Sequence, residues 1–519
     1  MRGILIALCL LGVGCATMQP KAAKTEITLP SMFSDHMVVQ QGKPVMVWGK
    51  AAPKARVQVA LGSETSYTRA DESGAWKVAL KPFRAGGPYD LTVKSGGAKA
   101  VIQDVLVGEV WVCSGQSNME WPVSRVNNAE KEIAEANHPE IRLFTVAKKV
   151  AGEPLDGCSG AWELCTPETI KEFSAVGYLF GRRLSEILKV PVGLIDSSWG
   201  GTPAEAWTSR PTLEKDPDLD VIVKRWDDLI AKYPEAKKQH DAAIAEWQKA
   251  AEAAKAKGEA EPKKPGEPLG PGHPHRASGL YNGMIQPLIP YGIRGAIWYQ
   301  GESNAGRAYQ YRELFPAMIQ DWRKNWGSDD FPFLFVQLAN FMDRNPDANA
   351  PSAWAELREA QSMTLSLANT GQAVIIDIGE AKDIHPRNKQ DVGLRLAQAA
   401  WKVAYGMDTA IYSGPTYASM RVDGNKIRVT FKNADGGLMA NGGEPVHGFA
   451  IAGEDKKFVW ANAKIEGNEV VVWADAIAQP AAVRYGWGDN PDCTLYSGAG
   501  LPASPFRTDT WPGVTIDAK

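Results

Sequence analysis

Residues 109–119 read EVWVCSGQSNM, an apolar strand-like run that ends in a glycine, an amide and a hydroxyl. We expect a buried strand here, with Gly115 allowing a tight turn that exposes Ser117 at the strand's carboxyl end. A serine at such a point is a candidate nucleophile if a base and oxyanion donors lie nearby. Met119 stands where the G-x-S-x-G nucleophile elbow has its second glycine, which disfavours an ordinary α/β-hydrolase. The alternative is a plain turn, because Gly, Gln, Ser and Asn are also common in turns.

The middle of the chain alternates helix-like segments, such as 128–136 and 174–188, with buried apolar runs. This alternation is typical of a parallel sheet with crossover helices. In open sheets of this kind the site lies off the carboxyl ends of the strands, so functional residues are expected just after each run. The runs after residue 119 are 190–196, 295–299, 333–338 and 373–377.

The two ends of the chain have a period of two instead, with strand-like runs separated by Gly, Pro, Asp and Ser. This pattern predicts β modules over residues 26–103 and 408–519, flanking a catalytic domain over residues 104–405. A stretch at about 212–275 interrupts that domain. Its first part is rich in Ala, Glu and Lys, which predicts a helical hairpin, and its Pro- and Gly-rich end predicts a mobile linker.

Composition excludes some classes of function. The 519 residues carry a formal net charge of only -3, and Lys and Arg are scattered, so nothing indicates a nucleic-acid partner. The 18 Trp suit loop-rich β structure and aromatic surfaces that stack on sugars, although tryptophans are more often core residues. No Cys/His cluster has the spacing of zinc ligands, and we expect neither a metal nor a cofactor.

The first 20 residues have the pattern of an export signal, with basic Arg2 followed by an apolar stretch over 4–13. Small residues precede Cys15, which predicts a lipid anchor there, with plain secretion as the alternative. The expected location is the periplasm or outer membrane of a bacterium, or the medium. In an oxidising compartment Cys158 and Cys165 are close enough in sequence for a small disulfide loop, but the pairing stays open.

A serine nucleophile needs a base, and seven histidines are available. Of these, His138 and His385 lie in the catalytic domain outside the insertion, and only His385 soon follows a buried run. Asp383, two residues upstream, can orient the imidazole if the loop folds back. The alternative is a surface Asp–His pair in a loop. The remaining histidines fall in the insertion (His240, His273 and His275) or in the β modules (His36 and His447), and we interpret His36 as structural.

An acyl-transfer site also needs donors for the tetrahedral oxyanion. Gly200 and Gly201 follow the run at 190–196 and can bring backbone N–H groups close to a ligand. Asn304 follows the run at 295–299 and offers a side-chain amide. Either turn is also an ordinary connection between a strand and a helix.

Four phrases together resemble the Ser, Gly, Asn and His blocks of SGNH hydrolases, and in detail the sialate O-acetylesterase family of carbohydrate esterases. They are GQSNM at 115–119, DSSWGGT at 196–202, WYQGESN at 298–304 and DIHP at 383–386. The likeness extends from FSDHM at 33–37 to PASPFR at 502–507.

The resemblance implies an SGNH, flavodoxin-like three-layer domain with a parallel sheet, flanked by β-sandwich-like modules. It also implies Ser117 as nucleophile, His385 as base and Asp383 as orienting acid, without a cofactor. The oxyanion hole would combine the Ser117 N–H, Gly200 or Gly201, and Asn304. Many SGNH enzymes place the acid three residues before the histidine, whereas here the gap is two.

The sequence therefore predicts an exported serine esterase that removes O-acetyl groups from carbohydrates. Acetylated xylan or xyloglucan are alternative substrates to sialic acid, and a non-catalytic carbohydrate-binding lipoprotein is the alternative outside enzymes. The oligomeric state stays open. Residues near the blocks are predicted to contact the substrate: Gln116, Trp199, Trp207, Tyr299 and Glu302. The three aromatic residues would stack on sugar, and the alternative is that each belongs to the core.

Overall fold

The computed structural model describes residues 26–519. The predicted export signal and Cys15 lie outside this range. No helix within it combines the length and the apolar character that a membrane span requires.

The N-terminal module consists of strands in which apolar residues alternate with polar ones, most of them short. In the third strand Val57, Val59 and Leu61 are buried and the residues between them are not, which is the period-two pattern of a half-buried strand. The strands are β1 (Val38–Gln40), β2 (Val45–Lys50), β3 (Arg56–Leu61), β4 (Glu64–Arg69), β5 (Ala75–Leu80), β6 (Gly86–Ser95) and β7 (Ala98–Gly115). β2 pairs with β5, and β3 pairs with both β4 and β6.

β7 belongs to two parts of the molecule. Its first half pairs antiparallel with β6, and its second half, from Glu109 onward, pairs parallel with strands of the catalytic domain. The boundary expected between residues 103 and 104 thus falls inside one strand.

β7 is also the middle of the catalytic sheet, whose order is β13-β12-β11-β7-β10-β8-β9. All pairs are parallel except β8 with β9. Within this sheet the five strands β10-β7-β11-β12-β13 have the 2-1-3-4-5 order of flavodoxin-like sheets, and β8 and β9 extend the sheet beyond β10. The additional strands are β8 (His138–Thr145), β9 (Trp162–Cys165), β10 (Val192–Ser198), β11 (Gly295–Tyr299), β12 (Phe333–Val336) and β13 (Thr370–Ala373).

Helices cover both faces of this sheet. Val110 and Val112 of β7 face one hydrophobic core, and Trp111 and Cys113 face the other, as alternation along a strand requires. The first core includes α6, and the second includes α3 and α8. The domain therefore has the expected three layers. The helices are α1 (Ser117–Glu120), α2 (Ala129–Ala134), α3 (Ala175–Leu188), α4 (Arg210–Lys215), α5 (Pro217–Lys257), α6 (Ala308–Trp326), α7 (Ala353–Met363) and α8 (Lys389–Val403).

Three local predictions were wrong. The run at 373–377 leaves the sheet at Ala373, and its remaining apolar residues are buried in a loop. His138, expected in a turn at a helix end, begins β8. The insertion is one 41-residue helix, α5, rather than a hairpin.

The helix α5 continues because its sequence contains no strong breaker apart from Pro234, which removes one hydrogen bond. The Pro-rich segment after it runs back along the helix instead of a second helix. There the indole N–H of Trp247 donates to the Pro262 carbonyl at 2.7 Å, and Lys264 lies over the Trp247 ring.

The C-terminal module contains two four-stranded antiparallel sheets around one apolar core. The two sheets have the orders β14-β15-β20-β19 and β18-β17-β21-β23, and a small sheet pairs β16 with β22. The strands are β14 (Thr416–Asp423), β15 (Lys426–Lys432), β16 (Leu438–Ala440), β17 (Phe449–Ala452), β18 (Val459–Trp460), β19 (Asn462–Glu466), β20 (Glu469–Trp473), β21 (Ala482–Tyr485), β22 (Leu495–Ser497) and β23 (Phe506–Arg507).

The disulfide considered between Cys158 and Cys165 is not formed. Both residues, together with Cys113 and Cys493, are free thiols in the described chain. Cys165 is buried in the catalytic core, and burial raises the pKa of its thiol to about 12. Such a thiol is poorly reactive.

Candidate active site

Ser117 stands at the carboxyl end of β7, as the first residue of the short helix α1. The turn before it requires glycine. Gly115 has a φ of +140°, and a Cβ atom there would lie 2.2 Å from the carbonyl oxygen of Tyr299. The chain can therefore turn tightly against β11 only without a side chain at this position.

The hydroxyl of Ser117 lies 2.9 Å from Nε2 of His385, across 268 residues of sequence. His385 comes from the loop between β13 and α8, two strands beyond β11 in the sheet. A serine hydroxyl in hydrogen-bond contact with an imidazole nitrogen is the arrangement that activates a serine nucleophile. The two residues predicted from separate strand ends thus meet.

Asp383 also lies beside His385, but its contact with the imidazole is loose. Its Oδ1 accepts the backbone N–H of His385 at 2.9 Å and is 3.4 Å from Nδ1. The Asp383 side chain is 46% exposed, so water competes for this carboxylate. The loop does fold back locally, as the two-residue gap demands.

Packing holds the imidazole as well. The ring of Trp121 stacks on His385 with centroids 4.7 Å apart and an angle of 15°. Partial burial lowers the pKa of His385, Lys389 lowers it further, and Asp383 opposes both. The lowered pKa favours the neutral imidazole, which is the form that a general base requires.

Behind this pair lies a second set of contacts, which we call the buried network: Asn118, Glu302 and Lys389. The Asn118 amide donates to Glu302 at 2.6 Å and to the carbonyl of Ile384 at 3.0 Å. Its oxygen accepts a hydrogen bond from the ammonium of Lys389 at 2.6 Å. One side chain next to the nucleophile therefore ties the turn after β11 to the histidine loop and to the start of α8.

The charges of the buried network are far from water. Lys389 has no exposed surface, and burial lowers the pKa of its ammonium to about 7. Burial likewise raises the pKa of Glu302. Each group is the counter-charge of the other through Asn118, which is how buried charges are retained.

The glycine turn after β10 is held by Glu120. Its Oε2 accepts the backbone N–H of Gly200 at 2.6 Å, while its Oε1 pairs with Lys148. A Cβ atom on Gly200 would lie 3.2 Å from the Cβ of Ser117, so this turn is next to the nucleophile. The Gly200 N–H is therefore close to the reacting serine and already occupied by a carboxylate.

Asn304 is buried beside the same turn, where its amide oxygen accepts the N–H of Ala204 at 2.9 Å. Its amide nitrogen donates to Glu205 at 2.9 Å. In this conformation Asn304 holds the segment after Gly201 in place. One of its two amide N–H groups bonds to Glu205, and the other has no partner among the described residues.

A cavity of about 510 Å³ opens beside the Ser117–His385 pair. Its wall includes Trp121, Arg125 and Lys148. Asp196 also lines it, and burial raises the pKa of that carboxyl to about 7. A larger cavity of about 650 Å³, between the N-terminal module and residues 286–290, contains no serine, cysteine or histidine.

The chain is similar to known proteins over most of its length. Residues 107–261 and 272–402 match a family described as carbohydrate esterases, sialic acid-specific acetylesterases. The sialate O-acetylesterase of Mus musculus is 33% identical over 422 residues, 74% of each chain. That of Homo sapiens is 30% identical over 535 residues, 93% of each chain. The chain belongs to this family.

A solved structure supports the assignment to the esterase family. A carbohydrate acetylesterase from Xanthomonas citri is 40% identical, with a TM-score of 0.80, covering 94% of this chain and 100% of the other. The protein is thus a carboxylic ester hydrolase of the carbohydrate O-acetylesterase class. The non-catalytic alternative is set aside.

Two residues of this esterase that were predicted to stack on sugar cannot do so. Trp207 is fully buried, and its indole N–H donates to Thr202 at 2.9 Å. Tyr299 is 1% exposed and lies over Lys389. Both belong to the core. Trp199 is partly exposed, with the ammonium of Lys148 5.4 Å from its ring, and stays a candidate.

Gln116 and Glu302, also predicted to contact substrate, have mainly internal partners. Gln116 is buried, and its amide oxygen faces the N–H groups of Ser303 at 3.3 Å and Gly301 at 3.5 Å. Glu302 belongs to the buried network. Their described contacts hold the turns of the esterase in place.

Several residues of the site were missed from sequence: Asn118, Glu120, Trp121, Lys148 and Lys389. Asn118, Glu120 and Trp121 directly follow the nucleophile, and a short helix at a strand end brings such neighbours into the site. That proximity was a usable signal. Lys389 gave none, because a lysine at the start of a helix is ordinarily exposed.

Proposed function

We propose that this protein is an exported serine esterase that removes O-acetyl groups from carbohydrates through an acyl-enzyme on Ser117. The observation that carries the proposal is the 2.9 Å contact between Ser117 Oγ and His385 Nε2, beside an open cavity. An acetyl ester needs only a nucleophile, a base and oxyanion donors, and candidates for all three lie here.

In the acylation step, Ser117 Oγ attacks the acetyl carbonyl carbon while Nε2 of His385 takes the hydroxyl proton. The carbonyl electron pair moves onto oxygen and forms a tetrahedral oxyanion. When that pair returns, the bond to the sugar oxygen breaks, and the imidazolium gives its proton to the departing alkoxide. The sugar leaves with a free hydroxyl group, and Ser117 carries the acetyl group.

In the deacylation step a water molecule takes the place of the sugar. His385 removes a proton from this water as its oxygen attacks the acetyl carbon. Collapse of the second tetrahedral intermediate breaks the bond to Ser117 Oγ, which recovers its proton from His385. Acetate is released, and the free enzyme is restored.

The oxyanion donors are assigned to the Ser117 N–H, the Gly200 or Gly201 N–H, and the Asn304 amide. Ser117 opens a helix, where backbone N–H groups are unpaired within the helix and attract negative charge. Gly200 can contribute only when its N–H is released by Glu120, which then remains paired with Lys148. Gly201 needs no such release.

The assigned serine, glycine, asparagine and histidine positions follow the SGNH scheme. Ser117, Gly200 and Gly201, Asn304 and His385 come after β7, β10, β11 and β13, respectively. The carboxyl ends of parallel strands lie at one edge of the sheet, which is where such sites form. We therefore assign residues 104–405 to an SGNH-type domain with β modules at either side. The export signal over residues 1–20, with lipid attachment at Cys15, is proposed on its sequence pattern alone.

The test is acetate release by wild type and by Ser117→Ala, with a chromogenic aryl acetate, acetylated xylan and O-acetylated sialic acid as substrates. Loss of the nucleophile is expected to lower kcat by about 10³-fold or more on every substrate that wild type cleaves. Ser419→Ala is the matched control, because Ser419 is exposed and its hydroxyl contacts Thr430 within the C-terminal module. Normal activity of Ser117→Ala would refute the mechanism.

A further inference from the structure

A third cavity lies away from the catalytic pair, between the C-terminal module and the loop after β12. It has a volume of about 460 Å³ and is lined in part by Trp460, Asn462 and His447. Trp460 is 44% exposed, which is unusual for so large an aromatic side chain. We call this the Trp460 cavity.

The aromatic wall of this cavity is fixed in place. The indole N–H of Trp460 donates to the carbonyl of Pro346 at 2.6 Å. Next to it, Asn349 exchanges two hydrogen bonds with the backbone of Phe458, each 2.7 Å long. A ligand that packs on the indole would therefore meet a preformed surface, and little freedom would be lost on binding.

Polar groups surround the indole. Asn462 and Asn345 have exposed side chains that carry both donors and acceptors. Asp492 also lines the cavity, pairing with Arg344 at 3.0 Å and lying 3.6 Å from His447. An exposed aromatic face with planar amides and a carboxylate around it suits a sugar ring, whose C–H face is apolar and whose rim carries hydroxyl groups.

The position of the cavity relates it to catalysis. The loop that contributes Arg344 to Pro346 follows the carboxyl end of β12, at the same sheet edge as Ser117. β12 is two places from β7, and strands lie about 4.8 Å apart. Asn490 in the cavity wall bonds to Asn340, which accepts the Gly379 N–H at 2.7 Å at the start of the histidine loop.

We propose that the Trp460 cavity binds a sugar residue of a glycan chain whose acetylated residue is at Ser117. The inference rests on the proposed function for its choice of sugar as ligand. It predicts that polymeric substrates gain affinity from Trp460, whereas small acetyl esters do not. A junction between domains is a common place for such a ligand.

Binding is tested in the full chain carrying Ser117→Ala, so that ligands are not consumed. The probes are acetylated xylan, acetylated xyloglucan and an O-acetylated mucin, with affinity measured by electrophoresis in glycan-containing gels. Trp460→Ala is expected to weaken binding of the preferred glycan about tenfold, and Trp460→Phe should retain most of it. Tyr67→Ala, which removes a 54% exposed aromatic of the N-terminal module, is the control and should bind normally.

Kinetics of enzymes that retain Ser117 separate this inference from the proposed function. Trp460→Ala should raise KM for the preferred glycan about tenfold and leave kcat/KM for an aryl acetate unchanged, which also shows that the variant folds. If Trp460→Ala binds as well as its parent, or if no glycan binds the parent, the inference is wrong. Absence of aryl acetate hydrolysis in wild type would instead refute the proposed esterase mechanism.

Discussion

Two sets of polar contacts connect the end of β7 to the same histidine loop, and they differ in tightness. Ser117, His385 and Asp383 form the outer set, in which the imidazole is 26% exposed and the Asp383 contact is 3.4 Å. The buried network forms the inner set, with bonds of 2.6 Å from Asn118 to both Glu302 and Lys389. The reactive set is loose, and the set behind it is tight.

This difference indicates which residues position the imidazole of His385. In the outer set the Asp383 oxygen already accepts a backbone N–H and the side chain is 46% exposed, so the carboxylate orients the imidazole weakly. In the inner set Asn118 fixes the Ile384 carbonyl directly before His385. We infer that the buried network is the main positioning device for the histidine and that Asp383 is secondary.

The largest effect is expected from Lys389→Met. The substitution removes the cation of the buried network, leaves Glu302 buried without its counter-charge, and should destabilise the fold by about 3–5 kcal/mol. Displacement of the histidine loop by about 1 Å would lower kcat about 10²-fold. Denaturant unfolding measures the loss of stability, and aryl acetate kinetics measure the loss of kcat.

The matched control is Lys402→Met, at the other end of α8, whose partner Asp408 is 93% exposed. An exposed pair contributes at most about 1 kcal/mol, so stability and kcat should stay close to wild type. Equal effects at the two lysines would contradict the positioning role of the buried network.

A smaller loss is expected from Asp383→Asn. A buried aspartate that holds a catalytic histidine tightly contributes about 10⁴-fold to kcat. Because Asp383 is half exposed and 3.4 Å from Nδ1, we expect a loss of only about tenfold here. The asparagine still offers Oδ1 to the His385 N–H, so the loop should keep its shape. A loss of 10⁴-fold would mean that the contact between Asp383 and His385 tightens in the substrate complex. Asp383, and not the buried network, would then be the main positioning group.

The smallest effect is a shift along the pH axis. Only neutral His385 accepts the serine proton, so kcat/KM rises as pH increases through the pKa of the imidazole and is level above it. Because that pKa is lowered by burial and by Lys389, the acid limb should lie below pH 6.5. Removing the cation in Lys389→Met should move the limb to higher pH, and Asp383→Asn should move it to lower pH. Identical limbs in all three proteins would indicate that another group controls the profile.

Much of the outer set could be predicted from sequence because its residues directly follow apolar runs. Parallel strands bring such points together whatever the order of the strands. The pairing of Ser117 with His385 needed nothing more. The strand order came from the family resemblance alone, because periodicity identifies strands without fixing which strand lies beside which.

The inner set could not be predicted for the same reason. Asn118 contacts Glu302 because β11 adjoins β7 in the sheet. It contacts Lys389 because the first residue of α8 lies against the residue that follows the nucleophile. Trp207 and Tyr299 failed as sugar contacts because strands and turns that are buried on all sides give no sign of where an aromatic ring points. The Ala-, Glu- and Lys-rich pattern predicts helix over α5, but it does not show whether the chain turns within the segment, so the predicted hairpin was wrong.

The 18-residue strand β7 has a consequence for how this enzyme can be altered. One continuous backbone carries the hydrogen bonds of the N-terminal module and, a few residues later, the nucleophile. A chain cut at residue 104 would begin in mid-strand, with the ladder to β6 lost. The N-terminal module therefore cannot be exchanged between enzymes as a separate unit, because it holds the strand that ends at the nucleophile. We expect the N-terminal module and the catalytic domain to unfold together.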